Sequence, residues 1–252
     1  MTDQSAGVGP AVRLDGTFAT THWSVVLAAG HESVPGAQEA LEQLCRAYWY
    51  PLYCYVRRRV GSAPDAEDLT QSFFAHVLER NALAKVSRHK GRFRSFLLAA
   101  LRYFLADEWD KLRAQKRGGG AKVISLDEAG VEERYQRDSG HELTAEELYE
   151  RRWAMAVLDR ASVRLREEFV AAGKTTLGGE LRRLQEDIPD AAPYVEVAAR
   201  LGMPVNTLKS HVHRYRQRFR ELLCEEVAQT VASPGELADE LRHLIAVVSR
   251  GA

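Results

Sequence analysis

Near its C-terminal end the chain carries hydrogen-bond donors and cations on one side of a helix-forming segment. Side chains of these types can hydrogen-bond to base edges and pair with phosphates. A helix that presents them at its N-terminal end is typical of one that lies in the major groove of DNA. Arg218 and Arg220 follow, placed to meet phosphates. The residues predicted to contact the duplex are Asn206, Thr207, Lys209, Ser210, His213, Arg214 and Arg216.

A pair of short helices must hold this polar side outward. Val197 and Leu201 give the first helix an apolar side, and Ala198 is small where a second helix crosses closely. Gly202 can adopt the left-handed backbone conformation that a tight turn needs. The apolar residues predicted to bury the second helix are Leu208, Val212 and Tyr215. The pattern predicts a helix-turn-helix, and the alternative is an ordinary helical hairpin with a solvated basic surface.

A second set of cations is interleaved with aromatic residues in the first half of the chain. Aromatic rings can stack on unpaired bases while Lys and Arg follow the phosphate backbone, so the set suits single-stranded nucleic acid. The alternative for an aromatic residue at helical spacing is burial in a core. The residues of this set are Arg92, Arg94, Arg102, Tyr103, Trp109, Lys111, Arg113, Lys116 and Arg117.

The formal net charge of zero hides a pattern along the chain. Residues 41–120 hold fifteen Lys and Arg against eight Asp and Glu, a net charge of plus seven. Residues 124–190 hold ten against sixteen, or minus six, and residues 191–223 hold six against two, or plus four. Two basic blocks that flank an acidic one suggest two separate contacts with a polyanion. The alternative is that these charges only solvate the surface.

The composition argues against several classes of protein. No stretch approaches the roughly eighteen consecutive apolar residues that span a bilayer, and residues 1–10 show no secretory signal. We therefore expect a cytoplasmic protein with no membrane partner. Cys45, Cys54 and Cys224 match no zinc-binding spacing and are expected to be reduced thiols. No metal site and no cofactor are predicted.

The sequence also does not predict an enzyme that acts on nucleic acid. A phosphodiesterase needs carboxylates that converge on metal ions, whereas Asp65 and Glu67 would point to different sides of a helix. His211 and His213 diverge in the same way. No glycine-rich phosphate loop is present, so no catalytic residue is assigned.

Apolar residues recur at three- and four-residue steps along most of the chain, and no segment alternates as a strand does. The pattern predicts an all-α fold of two helical domains joined by an acidic linker, the second containing the helix-turn-helix. Pro51 is predicted to kink or break the first long helix. The predicted ranges are a disordered tail (1–20), a first domain (21–120), a linker (121–143), a second domain (144–230) and a C-terminal helical extension (231–252).

Residues 65–74, Asp-Ala-Glu-Asp-Leu-Thr-Gln-Ser-Phe-Phe, resemble the polymerase-docking helix of the sigma-70 family of RNA polymerase sigma factors. The segment from residue 91 to residue 117 resembles the family's element that reads and opens the downstream promoter element. The helix-turn-helix resembles the domain that reads the upstream element. The resemblance is to the small, extracytoplasmic-function type, and it covers roughly residues 40–117 and 145–230.

The resemblance implies an alternative sigma factor, which binds core RNA polymerase, recognises promoter DNA sequence-specifically and promotes transcription initiation. It assigns the mixed aromatic and basic set to promoter opening. It assigns polymerase binding to residues that could instead stabilise the start of a helix capped by Ser62. These docking residues are Asp65, Glu67, Asp68, Gln71 and Phe74.

The implied partners are core RNA polymerase, double-stranded promoter DNA and its melted strand. An anti-sigma factor, or a kinase that modifies Thr70, are further candidate partners, and we expect a monomer when the protein is free. A stand-alone helix-turn-helix transcriptional regulator is the alternative, and it would form a symmetric dimer on a palindromic site. Residues 233–236 resemble a capping box that starts one more helix. That helix either folds back on the second domain or docks a regulator or the polymerase.

Overall fold

The computed structural model describes residues 37–79, 92–114, 130–138, 143–186, 191–231 and 233–250. Within these ranges the regular secondary structure is helical and no strand occurs, which confirms the predicted all-α fold class for the described part of the chain. None of the described helices combines the length and apolar character needed to cross a membrane. The predicted tail at residues 1–20 lies outside the described residues.

The helices of the described ranges are numbered here in chain order. They are α1 (Ala37–Val60), α2 (Ala63–Glu79), α3 (Phe93–Ala114), α4 (Val131–Asp138), α5 (Ala145–Ala171), α6 (Thr175–Glu186), α7 (Ala191–Arg200), α8 (Val205–Ala228) and α9 (Pro234–Ser249).

Helix α1 forms the centre of a first hydrophobic core. Residues 48–56 are all buried, because α2 and α5 both pack against this helix. A kink or a break was predicted at Pro51; helix α1 continues through this residue, so the break does not occur. The proline removes one backbone hydrogen bond, but the burial of every neighbour on both sides holds the helix together. The other large residues of this core include Phe73, Phe93, Leu101, Leu148, Tyr149 and Trp153.

A second hydrophobic core joins the end of α5 to α6, α7 and α8. Ala161 and Leu165 of α5 are fully buried against this group. The remaining buried members are Leu181, Leu184, Val197, Ala198, Leu208, Val212, Tyr215 and Leu222. The two cores therefore share α5, whose first half packs into the first core and whose second half packs into the second. The division into a first domain at residues 21–120 and a second domain at residues 144–230 stays a prediction.

Helix α4 lies within residues 121–143, the range predicted as a linker. Its Val131 and Tyr135 are buried in the first core. Glu132 forms a two-pronged ion pair with Arg57 of α1, with distances of 3.0 and 2.8 Å, and accepts a hydrogen bond of 2.7 Å from the Tyr53 hydroxyl. The hydrogen bonds from Arg57 and Tyr53 lower the pKa of Glu132 to about 2, against the opposing effect of burial. Helix α4, which lies within the predicted linker, is thus anchored to α1.

Helix α9 packs against α5 and α8, which is the fold-back alternative of the two that the sequence left open, and its Leu244 also joins the first core. The predicted capping box does not form, because the Ser233 side chain makes no cap hydrogen bond. Pro234 in the first turn leaves one fewer backbone donor to satisfy there. The C-terminal extension is therefore part of the folded body.

A buried ion-pair network joins α3, α5 and α9. Glu240 of α9 is fully buried and accepts hydrogen bonds from the Arg94 guanidinium of α3, at 2.6 and 3.3 Å. Arg94 also donates to Glu150 of α5 and lies 5.0 Å from the centre of the Trp153 ring. Arg92 approaches Glu240 to 2.8 Å from the edge of the core. Two carboxylates thus neutralise a guanidinium that is only 3 % exposed.

We expect Glu240→Ala to lower the free energy of unfolding by about 3–5 kcal/mol, because Arg94 would remain buried without a full set of partners. Asp239→Ala is the matched control on the same helix, since Asp239 forms an exposed pair with Arg242. Loss of an exposed pair costs less than about 1 kcal/mol. Urea unfolding of both variants measures the difference, and equal losses would contradict a buried network.

The Arg57–Glu132 pair makes stability depend on pH in the acid range. A folded-state pKa of about 2 lies below the ordinary value of 4.5, so the ionised pair stabilises the native state above the ordinary value and stops doing so as the pH falls through the lower one. The gap in unfolding free energy between the wild type and Glu132→Gln should be constant near neutral pH and close between about pH 5 and pH 2. In Glu133→Gln, which alters the exposed neighbour, we expect no such closing gap in a series of unfolding curves.

Candidate nucleic-acid interface

The turn between α7 and α8 has the geometry that the sequence predicts for it. Gly202 has a φ of +63°, the left-handed conformation that favours glycine. The backbone amides of Gly202 and Met203 donate to the carbonyls of Ala199 and Ala198, at 3.2 and 3.0 Å, and so close the end of α7. Another residue at position 202 would have to adopt the same left-handed conformation, which strains its backbone. The turn therefore fixes how α8 leaves α7.

The apolar sides of α7 and α8 are buried as predicted. Val197 and Ala198 of α7 are 5 % and 2 % exposed, and Leu208 of α8 is fully buried. Val212 and Tyr215 continue the buried stripe along α8 into the second core. Because one side of α8 is held in this way, its opposite side must face solvent.

The exposed side of α8 holds the whole set of predicted duplex contacts. The residues found exposed are Asn206, Thr207, Lys209, Ser210, His213, Arg214 and Arg216. Four of them, Lys209, Ser210, His213 and Arg214, line an open depression of about 660 Å³. The Ser210 hydroxyl donates to the Asn206 carbonyl at 3.1 Å. The depression is thus lined by two cations and by polar groups suited to an anionic partner.

His211 is a neighbour of this depression that the sequence did not single out as a contact. Partial burial, together with the positive charges of Arg214 and Lys174, lowers the pKa of His211 below its ordinary value. The Nδ1 atom of its ring lies 3.3 Å from the Arg214 guanidinium and can accept a hydrogen bond when the ring is neutral. His211 therefore helps to position Arg214, and only the spacing of three residues along a helix could have indicated the contact.

Two arginines farther along α8 are engaged with the protein itself. Arg218, predicted to meet a phosphate, pairs with Glu168 of α5 at 2.6 Å and with Glu221 at 3.0 Å. These partners raise the pKa of Arg218 and tie α8 to α5. Arg216 remains exposed but lies 3.4 Å from the Leu184 carbonyl of α6. In this structure Arg218 serves as a tether between helices.

The outer side of α3 carries part of the predicted aromatic and basic set. Tyr103 is 80 % exposed, and Arg102 beside it is half exposed. Trp109 is half-buried at the edge of the first core. Lys111 is exposed and pairs with Asp107 and Glu108 on its own helix, at 2.8 and 2.9 Å. The Tyr103 ring is therefore available on this side of α3, whereas the half-exposed guanidinium of Arg102 beside it pairs with Glu146 of α5.

Other members of that set lie elsewhere. Arg94 is buried in the ion-pair network, so it cannot contact DNA in this structure, and Arg92 pairs with Glu240 beside it. Arg94 can be buried because the carboxylates of Glu150 and Glu240, which lie much farther along the chain, neutralise its charge. Arg113 belongs to the last turn of α3, while Lys116 and Arg117 lie outside the described residues.

The start of α2 presents the predicted docking residues. The Ser62 side chain accepts a hydrogen bond of 3.4 Å from the Asp65 amide, as expected of a cap. Asp65 and Asp68 are exposed, and Glu67 and Gln71 are half-buried. Phe74 is only 5 % exposed and belongs to the core, so it does not form part of the exposed surface.

Thr70 does not fit the predicted role of a kinase substrate. Its side chain is fully buried, and its hydroxyl donates to the Ala66 carbonyl at 2.6 Å. A kinase would have to unfold α2 to reach that oxygen. Among the residues that the structure describes, no three His, Cys, Asp or Glu side chains gather where they could hold a metal ion.

The chain is similar to the ECF RNA polymerase sigma factor SigE of Mycolicibacterium smegmatis, with 26 % identity over 197 residues. The aligned region covers 78 % of this chain and 66 % of that protein, just under two thirds of its length. No protein-family model matches the chain, and no solved structure shows significant similarity to it.

We expect Arg214→Ala to weaken binding to duplex DNA and to reduce the slope of log affinity against log salt by about 1, because one phosphate contact is lost. Arg183→Ala is the control, since Arg183 is an exposed cation of α6 that does not line the depression. Fluorescence anisotropy over a salt series measures both slopes. An unchanged slope for Arg214→Ala would argue against this surface.

Proposed function

We propose that this protein is an alternative sigma factor: it binds core RNA polymerase, recognises promoter DNA and promotes transcription initiation. The single observation that carries the proposal is the presence of three exposed surfaces of different chemistry in one chain. These are the acidic start of α2, the Arg102–Tyr103 side of α3 and the donor-rich side of α8. The similarity to a sigma factor of the ECF type supports it.

Each surface has a role in the proposed mechanism. The α8 surface lies in the major groove of the upstream promoter element, where amide, hydroxyl and guanidinium groups contact base edges and phosphates. The α3 surface holds a melted strand, with the Tyr103 ring stacked on a base and Arg102 and Lys111 near phosphates. Asp65 and Asp68 of α2 meet a basic surface of the polymerase. Nucleotide addition belongs to the polymerase, and this chain supplies no catalysis.

Helix α5 connects the two nucleic-acid surfaces. It contains 27 residues and is therefore about 40 Å long. Its two halves belong to different cores, so the spacing between the α3 and α8 surfaces is set in part by a rigid element. A sigma factor must reach two promoter elements on one DNA molecule, and a fixed spacer between two readers suits that task.

A stand-alone helix-turn-helix regulator would use only the α8 surface. That function leaves the exposed ring of Tyr103 and the acidic start of α2 without a role. It also requires a symmetric dimer, whereas a sigma factor is expected to act as a monomer beside the polymerase in the cytoplasm. Size-exclusion chromatography with light scattering separates the two, since a dimer would favour the regulator.

Run-off transcription with purified core RNA polymerase and a pool of promoter fragments tests the proposed function. We expect specific transcripts only when this protein is added. Asp68→Arg should reduce them by about tenfold or more, because a like charge facing a basic partner costs several kcal/mol.

Asp159→Arg is the matched control, since it reverses an exposed aspartate of α5 outside the proposed docking surface. It should leave the transcripts unchanged. DNA binding by this protein with no effect on initiation would refute the sigma-factor proposal and favour the regulator.

A further inference from the structure

The basic end of α1 contacts residues of the acidic block at positions 124–190. Arg57 pairs with Glu132, and the Nε of Arg58 donates to the Leu143 carbonyl at 3.1 Å. Arg59 pairs with Glu146 of α5 at 2.8 Å. In the folded chain, arginines of the basic block at residues 41–120 thus form ion pairs with glutamates of the acidic block at residues 124–190.

Glu146 lies in an anion-binding arrangement built from two helices. Its Oε1 atom accepts hydrogen bonds from the guanidinium groups of Arg59 and Arg102 and from the Tyr55 hydroxyl, the last at 3.2 Å. Arg102 also donates to the Tyr55 oxygen at 3.2 Å, and Arg59 lies 4.9 Å from the centre of the Tyr55 ring. The Tyr55 side chain is itself fully buried, so it holds both arginines in place.

We propose that Arg59, Arg102 and Tyr55 form a binding site for a backbone phosphate of DNA, and that Glu146 occupies this site in the free protein. Two guanidinium groups and a hydroxyl that converge on one oxygen suit a phosphate as well as a carboxylate. Arg102 is followed by the exposed Tyr103, so the site adjoins the surface proposed to hold a melted strand. The inference rests on the proposed function for the identity of the ligand.

Exposure determines which acidic contact can give way. The side chains of Arg59, Arg102 and Glu146 are 37 %, 51 % and 35 % exposed, so these pairs are screened by solvent and salt. The side chain of Arg57 is only 14 % exposed, binds Glu132 with two bonds and stacks near Tyr135. A polyanion would therefore displace Glu146 from Arg59 and Arg102, while the pair between Glu132 and Arg57 keeps α4 attached to α1.

Near neutral pH, Glu146 is released from Arg59 and Arg102 by a competing anion and not by its own protonation. Burial raises the pKa of Glu146, but hydrogen bonds from Arg102 and Arg59 and the charge of Arg59 lower it to about 2. The carboxylate is thus ionised throughout the physiological range. DNA must compete with a full negative charge, which would suppress non-specific binding by the free protein.

The test compares Glu146→Gln with Glu147→Gln in the full chain. Both remove one negative charge from the first turn of α5, but Glu147 pairs with Thr144 in a capping box that Gln preserves. The probes are a short labelled duplex without a promoter and a labelled single strand. For Glu146→Gln we expect the dissociation constant at low salt to fall by about three- to tenfold.

The salt dependence identifies the residues and the form of DNA involved. Because the site takes one backbone phosphate, freeing it should steepen the slope of log affinity against log salt by about 0.9 on the duplex or about 0.7 on the single strand, whichever form occupies the site. The double variant Glu146→Gln/Arg59→Gln should return most of the way to the wild-type affinity. Arg59→Gln alone should weaken binding of the preferred probe, which tests the site even if Glu146→Gln lowers stability.

Equal affinities and slopes for Glu146→Gln and Glu147→Gln, with no effect of Arg59→Gln, would overturn the proposed phosphate site. That result would leave the sigma-factor proposal standing if the wild type still directs run-off transcription. Conversely, tighter DNA binding by Glu146→Gln with no polymerase-dependent transcript from the wild type would support the phosphate site and refute the sigma-factor role.

Discussion

The guanidinium of Arg94 sits inside the first core, and a buried charge is tolerated only when it is paired and hydrogen-bonded. Its partners are Glu150 and Glu240, which lie 56 and 146 residues farther along the chain. Although burial opposes the charged form, the two carboxylates raise the pKa of Arg94 and keep it ionised. The start of α3, the first half of α5 and the whole of α9 must therefore stay together for the core to form.

This constraint links the candidate surfaces. Helix α3 carries the exposed Tyr103, and its first turn is fixed by residues of α5 and α9. Helix α5 then extends into the second core, and its Arg160 and Arg164 pair with Glu226 of α8. The exposed side of α8 is thus connected to the exposed side of α3 through one continuous helix and two sets of ion pairs.

Local patterns predicted much of this arrangement. The three- and four-residue spacing of Leu208, Val212 and Tyr215 gave the buried side of α8, and the exposed polar side followed from it. Gly202 marked the turn because few other residues adopt its backbone conformation without cost. The similarity to SigE is consistent with the family resemblance seen in the docking helix.

Contacts between distant residues could not be predicted in the same way. Arg94 stands among other cations, and nothing in its own segment distinguishes a buried arginine from one that binds DNA. The acidic segment contained no signal that Glu132 would bind Arg57 or that Glu146 would bind Arg59. Periodicity tells which side of a helix is apolar, but it does not tell which helix covers that side. For the same reason the burial of Thr70 was not foreseen.

A double-mutant cycle between Arg94 and Glu240, measured by urea unfolding, tests most directly whether this ion pair organises the fold. The variants are Arg94→Gln, Glu240→Gln and the combination of the two. Residues in direct contact show coupling of about 0.5–3 kcal/mol, and a buried charge pair should lie at the upper end of that range. Additive losses, within about 0.5 kcal/mol, would mean that the pair does not form in solution and would contradict the account.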